Sequence, residues 1–202
     1  MAGHPLVAAL YDPLMRVQDA LGLARQRVRT AGEATGRVLE LGVGTGLQLP
    51  HYTAADEVVG VDPDPHMLRR ARGRTAAAPV PVELVEASAE RLPFEDASFD
   101  TVVASLSLCT IPDQAAALRE ARRVLRPDGR LVFLEHVRSE RPRVAAVQDR
   151  VEPLWMRIAG GCRPNRDTVA AIEREFEVER LWRRGLIVQG SARPKPASAG
   201  AA

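Results

Sequence analysis

The sequence predicts an α/β domain with a doubly wound sheet of seven strands, mostly parallel, whose last strand is antiparallel. Short apolar runs of strand length alternate with amphipathic stretches of helix length over the first two thirds of the chain. A glycine-rich turn follows the first apolar run, and two alternating segments separated by a turn close the chain. Five β-α units followed by such a hairpin indicate one layered domain with helices on both faces of the sheet.

The first element is an amphipathic helix over residues 6–30, where apolar side chains recur at three- and four-residue steps. Pro13 is expected to break or begin this helix, because proline lacks the N–H group of an interior helical residue. Five apolar runs then predict strands at Arg37–Leu41, Glu57–Val61, Val82–Val85, Phe99–Ser105 and Arg130–His136.

Capping residues and proline–glycine stops mark the helices between the strands. These helices are predicted to begin near Asp64 or Pro65 and to span Asp113–Leu125 and Thr168–Glu175. A short turn at Arg183–Gly185 joins the last two strands. These strands are predicted at Glu177–Trp182 and Leu186–Ala192.

The length of 202 residues allows one domain with a full core. We expect a helical lid in residues 1–30, the α/β domain in residues 31–192, and a disordered tail in residues 193–202. The 28 basic and 26 acidic residues nearly balance, so a nucleic-acid partner is not expected. No apolar run reaches the roughly 20 residues that cross a bilayer, and no secretory signal begins the chain, which favours a cytoplasmic protein.

The most informative motif is the turn Gly42-Val43-Gly44-Thr45-Gly46, which follows Glu40 and the first strand. Glycine lets the backbone bend tightly and lets a ligand lie against the main chain. Asp62 ends the next strand, where an acidic side chain can hold the hydroxyl groups of a ribose. The glycines stand at every second position, which departs from the G-x-G-x-x-G spacing of nicotinamide-dependent oxidoreductases. A different nucleoside cofactor is therefore indicated.

Further motifs narrow the choice. They are Leu92-Pro93-Phe94 before strand four, Val124–Arg130 before strand five, Phe133–Val137 in strand five, and Gly160-Gly161-Cys162 with Asn165–Thr168 near the end. With the glycine turn, these motifs resemble the Rossmann-like class I S-adenosylmethionine-dependent methyltransferases over about residues 36–137. The C-terminal motifs resemble the subfamily of methyltransferase-like thiol S-methyltransferases and phosphatidylethanolamine N-methyltransferase-like proteins.

The resemblance implies S-adenosylmethionine as cofactor and assigns residues to it. The residues expected at the methionine part are Glu40, Gly42, Gly44 and Gly46. Asp62 would hold the ribose, with Pro63 and Met67 near the adenine. Ser88 stands where many relatives have an aspartate that binds adenine, so the Ala89 backbone is expected to share that role. Ser105 would border the sulfonium, and Tyr11 would contact the cofactor from the lid.

Methyl transfer from a sulfonium needs mainly alignment of the reactants, so a strong catalytic pair is not required. His136 and Glu135, at the end of strand five, are the candidate catalytic residues. His136 has the pKa range of a general base, and a structural role is an equal alternative. For Glu135 a structural or cofactor-proximal role is favoured over catalysis.

The two cysteines are interpreted structurally. Cys109 ends strand four, where cysteine usually acts as a small buried apolar residue, and Cys162 is expected to shape a loop. Two cysteines cannot form a zinc site alone, and no metal is expected.

The acceptor remains open among a small-molecule thiol, which is the first choice, a phospholipid or small amine, and a quinone-ring carbon. A non-catalytic cofactor-binding protein is the alternative from another class. The apolar stripe of the first helix, flanked by Arg16, Arg25, Arg27 and Arg29, is interpreted as a lid. Weak contact of this helix with a membrane surface is the alternative.

Overall fold

The computed structural model describes residues 5–196. Its centre is a seven-stranded sheet with the order β3-β2-β1-β4-β5-β7-β6. The strands are β1 Gly36–Leu41, β2 Ala55–Asp62, β3 Val82–Glu86, β4 Phe99–Ser105, β5 Leu125–His136, β6 Phe176–Arg184 and β7 Ile187–Pro194. All pairs of neighbouring strands among the first five are parallel, whereas β7 is antiparallel to both of its neighbours, β5 and β6. The predicted fold class is confirmed.

Helices cover both faces of the sheet. They are α1 Pro5–Gln18, α2 Ala24–Gly32, α3 Pro65–Thr75, α4 Gln114–Val124, α5 Pro142–Ile158 and α6 Thr168–Glu175. On one face, Leu118 of α4 and Ile172 of α6 pack in the larger core cluster. On the other face, Ala31 of α2 and Leu68 of α3 pack in a second cluster. The central strands are therefore buried on both sides, as expected for parallel strands with near-continuous apolar sequence.

Three helices begin with an aspartate cap. Asp64, Asp113 and Asp167 each accept a backbone N–H from the first turn of the helix that follows. A cap of this kind typically stabilises a helix by about 1 kcal/mol. The caps fix where the three helices begin, so the loops from β2 to α3 and from β4 to α4, at the carboxyl ends of these strands, have defined lengths.

The N-terminal segment, residues 5–32, differs from the single predicted helix. It consists of α1, a π-helical turn at Asp19–Leu23, and α2. Pro13 lies inside α1, so the prediction that it breaks or begins the helix is wrong. The interruption falls instead at Gly22, whose φ of 112° is accessible mainly to glycine. Met15 and Leu23 are buried against Leu134 of β5, which places this segment over the sheet.

Several elements differ from the predictions. β5 begins at Leu125 rather than Arg130, because Leu125 pairs with Phe99 before the register shifts. α5 was not predicted, since its prolines at 142 and 153 obscure the helical pattern. β7 continues through Pro194, into the segment predicted as a tail, and residues 197–202 lie outside the described part of the chain. Within residues 5–196, no helix is both long and apolar enough to span a membrane.

Candidate active site

The glycine turn lies at the carboxyl end of β1. Gly42, Gly44 and Gly46 have φ values of 66°, 55° and 80°, so the left-handed conformation recurs at every second residue. A Cβ on Gly42 would lie 2.8 Å from Cβ of Ser107, whereas a Cβ on Gly44 would meet no atom closer than 3.9 Å. Gly42 is therefore required by packing, and the space beside Gly44 is open to a ligand.

Asp62 ends β2 beside this turn and is buried. One carboxylate oxygen accepts the N–H of Gly44 at 2.9 Å, and the other accepts the N–H of Asp64 at 2.9 Å. Burial raises the pKa of Asp62, while these two backbone donors oppose the rise. Each oxygen keeps a further lone pair that can accept another hydrogen bond, and the predicted contact with ribose hydroxyl groups stays a prediction.

Several buried polar atoms beneath the glycine turn have no hydrogen-bond partner within residues 5–196. They are Oε2 of Glu40, Nε2 of Gln48, the hydroxyl of Tyr52 and Oγ of Ser107. Burial raises the pKa of Glu40 to about 8, and the hydroxyl of Tyr52, which lies beside this carboxyl group, opposes the rise. Leaving such groups unpaired costs about 1–3 kcal/mol each. A polar ligand with an ammonium and a carboxylate group, such as the methionine part of S-adenosylmethionine, fits this environment.

The residues predicted near the adenine lie at the adjacent ends of β2 and β3. The loop after β3 is attached to β2 through the N–H of Ala87, which donates to the Asp62 carbonyl at 3.3 Å. Ser88 follows, but its hydroxyl bonds both the carboxylate and the backbone N–H of Glu90. Ala89 is buried, Met67 is half-buried and Pro63 is exposed. The structure thus brings these residues to one edge and engages Ser88 in its own turn.

Glu135 lies at the end of β5 and is fully buried. Its carboxylate accepts the N–H groups of Ser107, Leu108 and Cys109 at 3.0, 2.9 and 3.3 Å. Burial raises the pKa of Glu135 to about 7 despite these donors. Both oxygens hold the loop after β4, so Glu135 is a positioning residue rather than a catalytic one. This geometry corrects its inclusion among the catalytic candidates and agrees with the structural role that the sequence favoured.

The predicted sulfonium neighbour, Ser105, ends β4. Its buried hydroxyl donates to Oε1 of Gln48 at 3.2 Å, which joins β4 to the glycine turn. Gln48 was not identified from the sequence. It belongs to no recognisable motif, and only the fold brings it beside Ser105.

A cavity of about 620 Å³ opens at the same edge of the sheet. Most of its lining is apolar and includes Tyr11, Leu14, Met15, Leu106 and Trp155. Cys109, His136 and Cys162 form a more polar part of the wall. Tyr11 of the N-terminal segment therefore lines this cavity, and its predicted contact with the cofactor stays a prediction.

The two cysteines are free, and their sulfur atoms lie 3.5 Å apart. The Cys109 thiol, together with His136, lowers the pKa of Cys162 to about 5, while the same contact and burial raise the pKa of Cys109. The sequence analysis interpreted Cys109 and Cys162 separately because the two residues are 53 positions apart in the chain. Their contact, and the position of His136 beside them, emerge only from the fold.

A polar contact attaches the N-terminal segment to the glycine turn. The hydroxyl of Thr45 donates to Asp12 at 2.6 Å, and the guanidinium of Arg74 donates to the same carboxylate at 2.7 Å. Arg74 also donates to the carbonyl of Thr45. Burial opposes ionisation of Asp12, but these hydrogen bonds outweigh it and lower its pKa. No sequence pattern indicates this contact, which we call the Asp12 latch.

Residues 39–133 match the methyltransferase domain family. A phosphatidylethanolamine N-methyltransferase of Cereibacter sphaeroides is 40% identical over 127 residues, which cover 60% of this chain and 63% of that protein. A thiol S-methyltransferase of Rattus norvegicus is 35% identical over 159 residues, which cover 76% of this chain and 64% of that protein. The chain thus spans less than two thirds of the length of these relatives.

The fold also has a solved counterpart. The crystal structure of an S-adenosylmethionine-dependent methyltransferase from Mesorhizobium loti superposes with a TM-score of 0.62 at 23% identity. The superposition covers 82% of this chain and 95% of that one. At this identity the likeness concerns the fold, and it agrees with the seven-stranded topology described above.

Proposed function

Residues 39–133 belong to the methyltransferase domain family, and on that basis we propose that this protein transfers the methyl group of S-adenosylmethionine to a small-molecule thiol. The observation that carries the proposal is the group of unpaired buried polar atoms beneath the bare backbone at Gly44. That combination fits an amino-acid group lying against a glycine turn, beside the carboxylate of Asp62.

The residues that would hold the cofactor follow from their positions. Glu40 would accept the ammonium group, the backbone at Gly44 would support the methionine chain, and Asp62 would accept the ribose hydroxyls. The bound cofactor supplies a methyl group already activated by its positive sulfur. The protein then has to align the acceptor with that methyl group and exclude water, which can lower the barrier by about 7–11 kcal/mol.

The cavity favours a thiol as acceptor. Its apolar walls suit the body of a small lipophilic molecule, and its polar lining comprises His136, the two cysteines, Gln18, Thr110 and Arg157. A thiol with a pKa near 8.5 is only a few per cent thiolate at neutral pH, so a group that favours the thiolate assists attack. Of the two relatives named above, the one that matches the larger share of this chain, including residues beyond the methyltransferase domain, carries the name thiol S-methyltransferase.

The test is a methyl-transfer assay with labelled S-adenosylmethionine and a matched panel of acceptors. We expect a labelled thioether from small alkyl and aryl thiols and none from the corresponding alcohols. Calorimetry with S-adenosylhomocysteine should show binding, whereas NAD should not bind. NAD binding in place of S-adenosylhomocysteine would refute the cofactor assignment. Cofactor binding without transfer to any acceptor would favour the non-catalytic alternative.

N-methylation of a phospholipid amine is the second candidate, and the surface around the cavity favours it. Val17 and Leu21 of the N-terminal segment are 62% and 78% exposed, and Val147 and Leu154 of α5 are 59% and 64% exposed. Both segments also line the cavity. Exposed apolar side chains at a cavity mouth suit contact with a membrane surface. Co-sedimentation with phosphatidylethanolamine vesicles and a labelled lipid product would replace the thiol assignment.

A further inference from the structure

Cys109, His136 and Cys162 bring three ligands of metal-binding type to one place. One ligand atom from each residue lies within 4.8 Å of the others. Cys109 follows β4, His136 ends β5, and Cys162 lies in the loop between α5 and α6. The three residues thus come from separate parts of the chain and meet at the cavity wall.

The separation of the sulfur atoms fits a shared metal ion. Zinc–sulfur bonds of about 2.3 Å at a tetrahedral angle place two thiolates about 3.8 Å apart. The two sulfur atoms here are 3.5 Å apart, far beyond the roughly 2.05 Å of a disulfide. In addition, Nδ1 of His136 is buried without a hydrogen-bond partner among the described residues. The cluster therefore has the spacing of a metal ligand set, and a nitrogen of His136 is free to take part in binding.

The backbone around the cluster holds it in place. The N–H of Arg163 donates to the carbonyl of Cys109 at 2.9 Å, which ties together the two cysteine loops. The carboxylate of Glu135 accepts a hydrogen bond from the N–H of Cys109. Arg166 donates to the carbonyls of Leu108 and Ile111, which fixes the loop after β4. A ligand set supported in this way loses little conformational freedom when an ion binds.

We propose that Cys109, His136 and Cys162 bind one zinc ion, whose fourth position faces the cavity and receives the acceptor as a thiolate. Two soft sulfur ligands and one imidazole favour zinc over magnesium or calcium. Three protein ligands with one open position are the arrangement of catalytic zinc sites. In this site His136 is a metal ligand and not a general base. The role given to the fourth position rests on the proposed thiol methylation, while binding of zinc by itself does not.

The chemistry balances without another reactant. The acceptor thiol loses its proton to solvent when its sulfur binds the ion. A lone pair of that sulfur forms the new sulfur–carbon bond, while the bond from the methyl carbon to the cofactor's positive sulfur breaks. The electron pair of the broken bond stays on the cofactor's sulfur, which becomes neutral. The thioether product is a weaker ligand than a thiolate and leaves the ion.

The first test measures zinc binding to the full chain, reduced and stripped of metal, by competition with a chromophoric chelator. We expect one zinc ion per chain. The variants His136→Ala and Cys162→Ser should bind zinc at least about a hundredfold more weakly, since even loss of a group that only orients a ligand costs roughly 10–100-fold. His66→Gln, which changes a histidine of α3 outside the cluster, is the matched control and should bind as the wild type does.

Cobalt provides a readout that needs no variant. Co²⁺ in the wild-type protein should give the thiolate-to-metal charge-transfer band and the intense visible absorption of a four-coordinate ion. Addition of 2-mercaptoethanol should increase the charge-transfer band, while 2-methoxyethanol should leave it unchanged. A zinc stoichiometry well below one, a spectrum without thiolate bands, or a Cys109–Cys162 disulfide that persists in reductant would each overturn the metal site.

The failures of the two proposals are distinguishable. Methyl transfer to thiols at the full rate in metal-free protein would overturn the role of zinc and leave the proposed function intact. A protein that binds one zinc ion through the three residues but methylates no thiol would keep the metal site and refute the proposed function. A charge-transfer band whose intensity does not change when 2-mercaptoethanol is added would overturn the assignment of the fourth position.

Discussion

Replacement of Gly44 by alanine separates cofactor binding from stability. Gly44 has a φ of 55°, and an added Cβ would meet no protein atom closer than 3.9 Å. Gly185, in the turn between β6 and β7, has a φ of 60° and no atom within 4 Å of an added Cβ. The two positions thus impose the same backbone conformation in open space. Only Gly44 lies at the proposed cofactor site, so Gly185→Ala is a matched control for Gly44→Ala.

The expected loss of stability is similar in both variants. An alanine in the left-handed region costs about 1–2 kcal/mol. For a domain of this size, 1 kcal/mol lowers the melting temperature by about 2–4 °C. Both variants should therefore melt roughly 2–8 °C below the wild type. The new methyl group at position 44 would project into the space proposed for the methionine chain. The methyl group at position 185 would not, because no ligand is proposed there.

Calorimetry and thermal unfolding with S-adenosylhomocysteine test the difference. Gly44→Ala should bind this ligand at least about tenfold more weakly, which corresponds to about 1.4 kcal/mol. Gly185→Ala should keep wild-type affinity, and the added ligand should raise its melting temperature by as much as it raises that of the wild type. Equal affinities in the two variants would show that the ligand does not lie against Gly44, and the proposed placement of the cofactor would be refuted.

Further predictions concern the three carboxylates at this edge. Asp62→Ala should weaken S-adenosylhomocysteine binding by roughly 1–3 kcal/mol, as measured by calorimetry, since a charged acceptor of ribose hydroxyls is lost; unchanged affinity would contradict its role. The pKa of Glu40 is raised from 4.5 to about 8, so the folded protein holds a proton that the unfolded chain releases. The unfolding free energy should therefore fall between pH 4.5 and about 8, by at most about 5 kcal/mol for this group. Urea unfolding should show a flatter pH profile in Glu40→Gln, and an identical profile would exclude Glu40 as the cause. An ammonium group beside Glu40 favours its ionised form, so ligand binding at pH 7 should release a proton in wild type and not in Glu40→Gln, which calorimetry in two buffers of different ionisation enthalpy detects. Glu135→Gln should lower the unfolding free energy by about 1–3 kcal/mol, because an amide cannot accept all three backbone N–H groups; a wild-type value in urea unfolding would argue against the positioning role.

The sheet was predictable because each buried strand carries its own local pattern. β4 was predicted at Phe99–Ser105 and α6 at Thr168–Glu175, and both have those bounds in the structure. A buried parallel strand reads as an unbroken apolar run, and an Asp cap marks where a helix begins. α5 was not predicted because Pro142 and Pro153 weaken its helical pattern. A helix tolerates proline where tertiary packing compensates for it.

The candidate site likewise contains residues that local sequence patterns predict and residues that only the fold brings together. Glu40, the glycines and Asp62 could be predicted as cofactor-binding residues because that prediction depends only on local spacing along two adjacent strands. The group formed by Cys109, His136 and Cys162 could not be identified, because its members meet only through the loops that follow β4, β5 and α5. The partners of Asp12 were hidden for the same reason, since Thr45 and Arg74 lie 33 and 62 residues away in sequence. Contacts of this range depend on topology and not on periodicity.

The Asp12 latch has a kinetic consequence. It joins α1 to Thr45 of the glycine turn and to Arg74 of α3, so the N-terminal segment cannot swing away without separating an ion pair. A cofactor seated at the turn would be enclosed by that segment, and its spent form could depart only after the pair opens. We therefore expect an ordered cycle in which the cofactor enters first and leaves last. Added salt, which screens partly exposed ion pairs, should then accelerate departure of the spent cofactor.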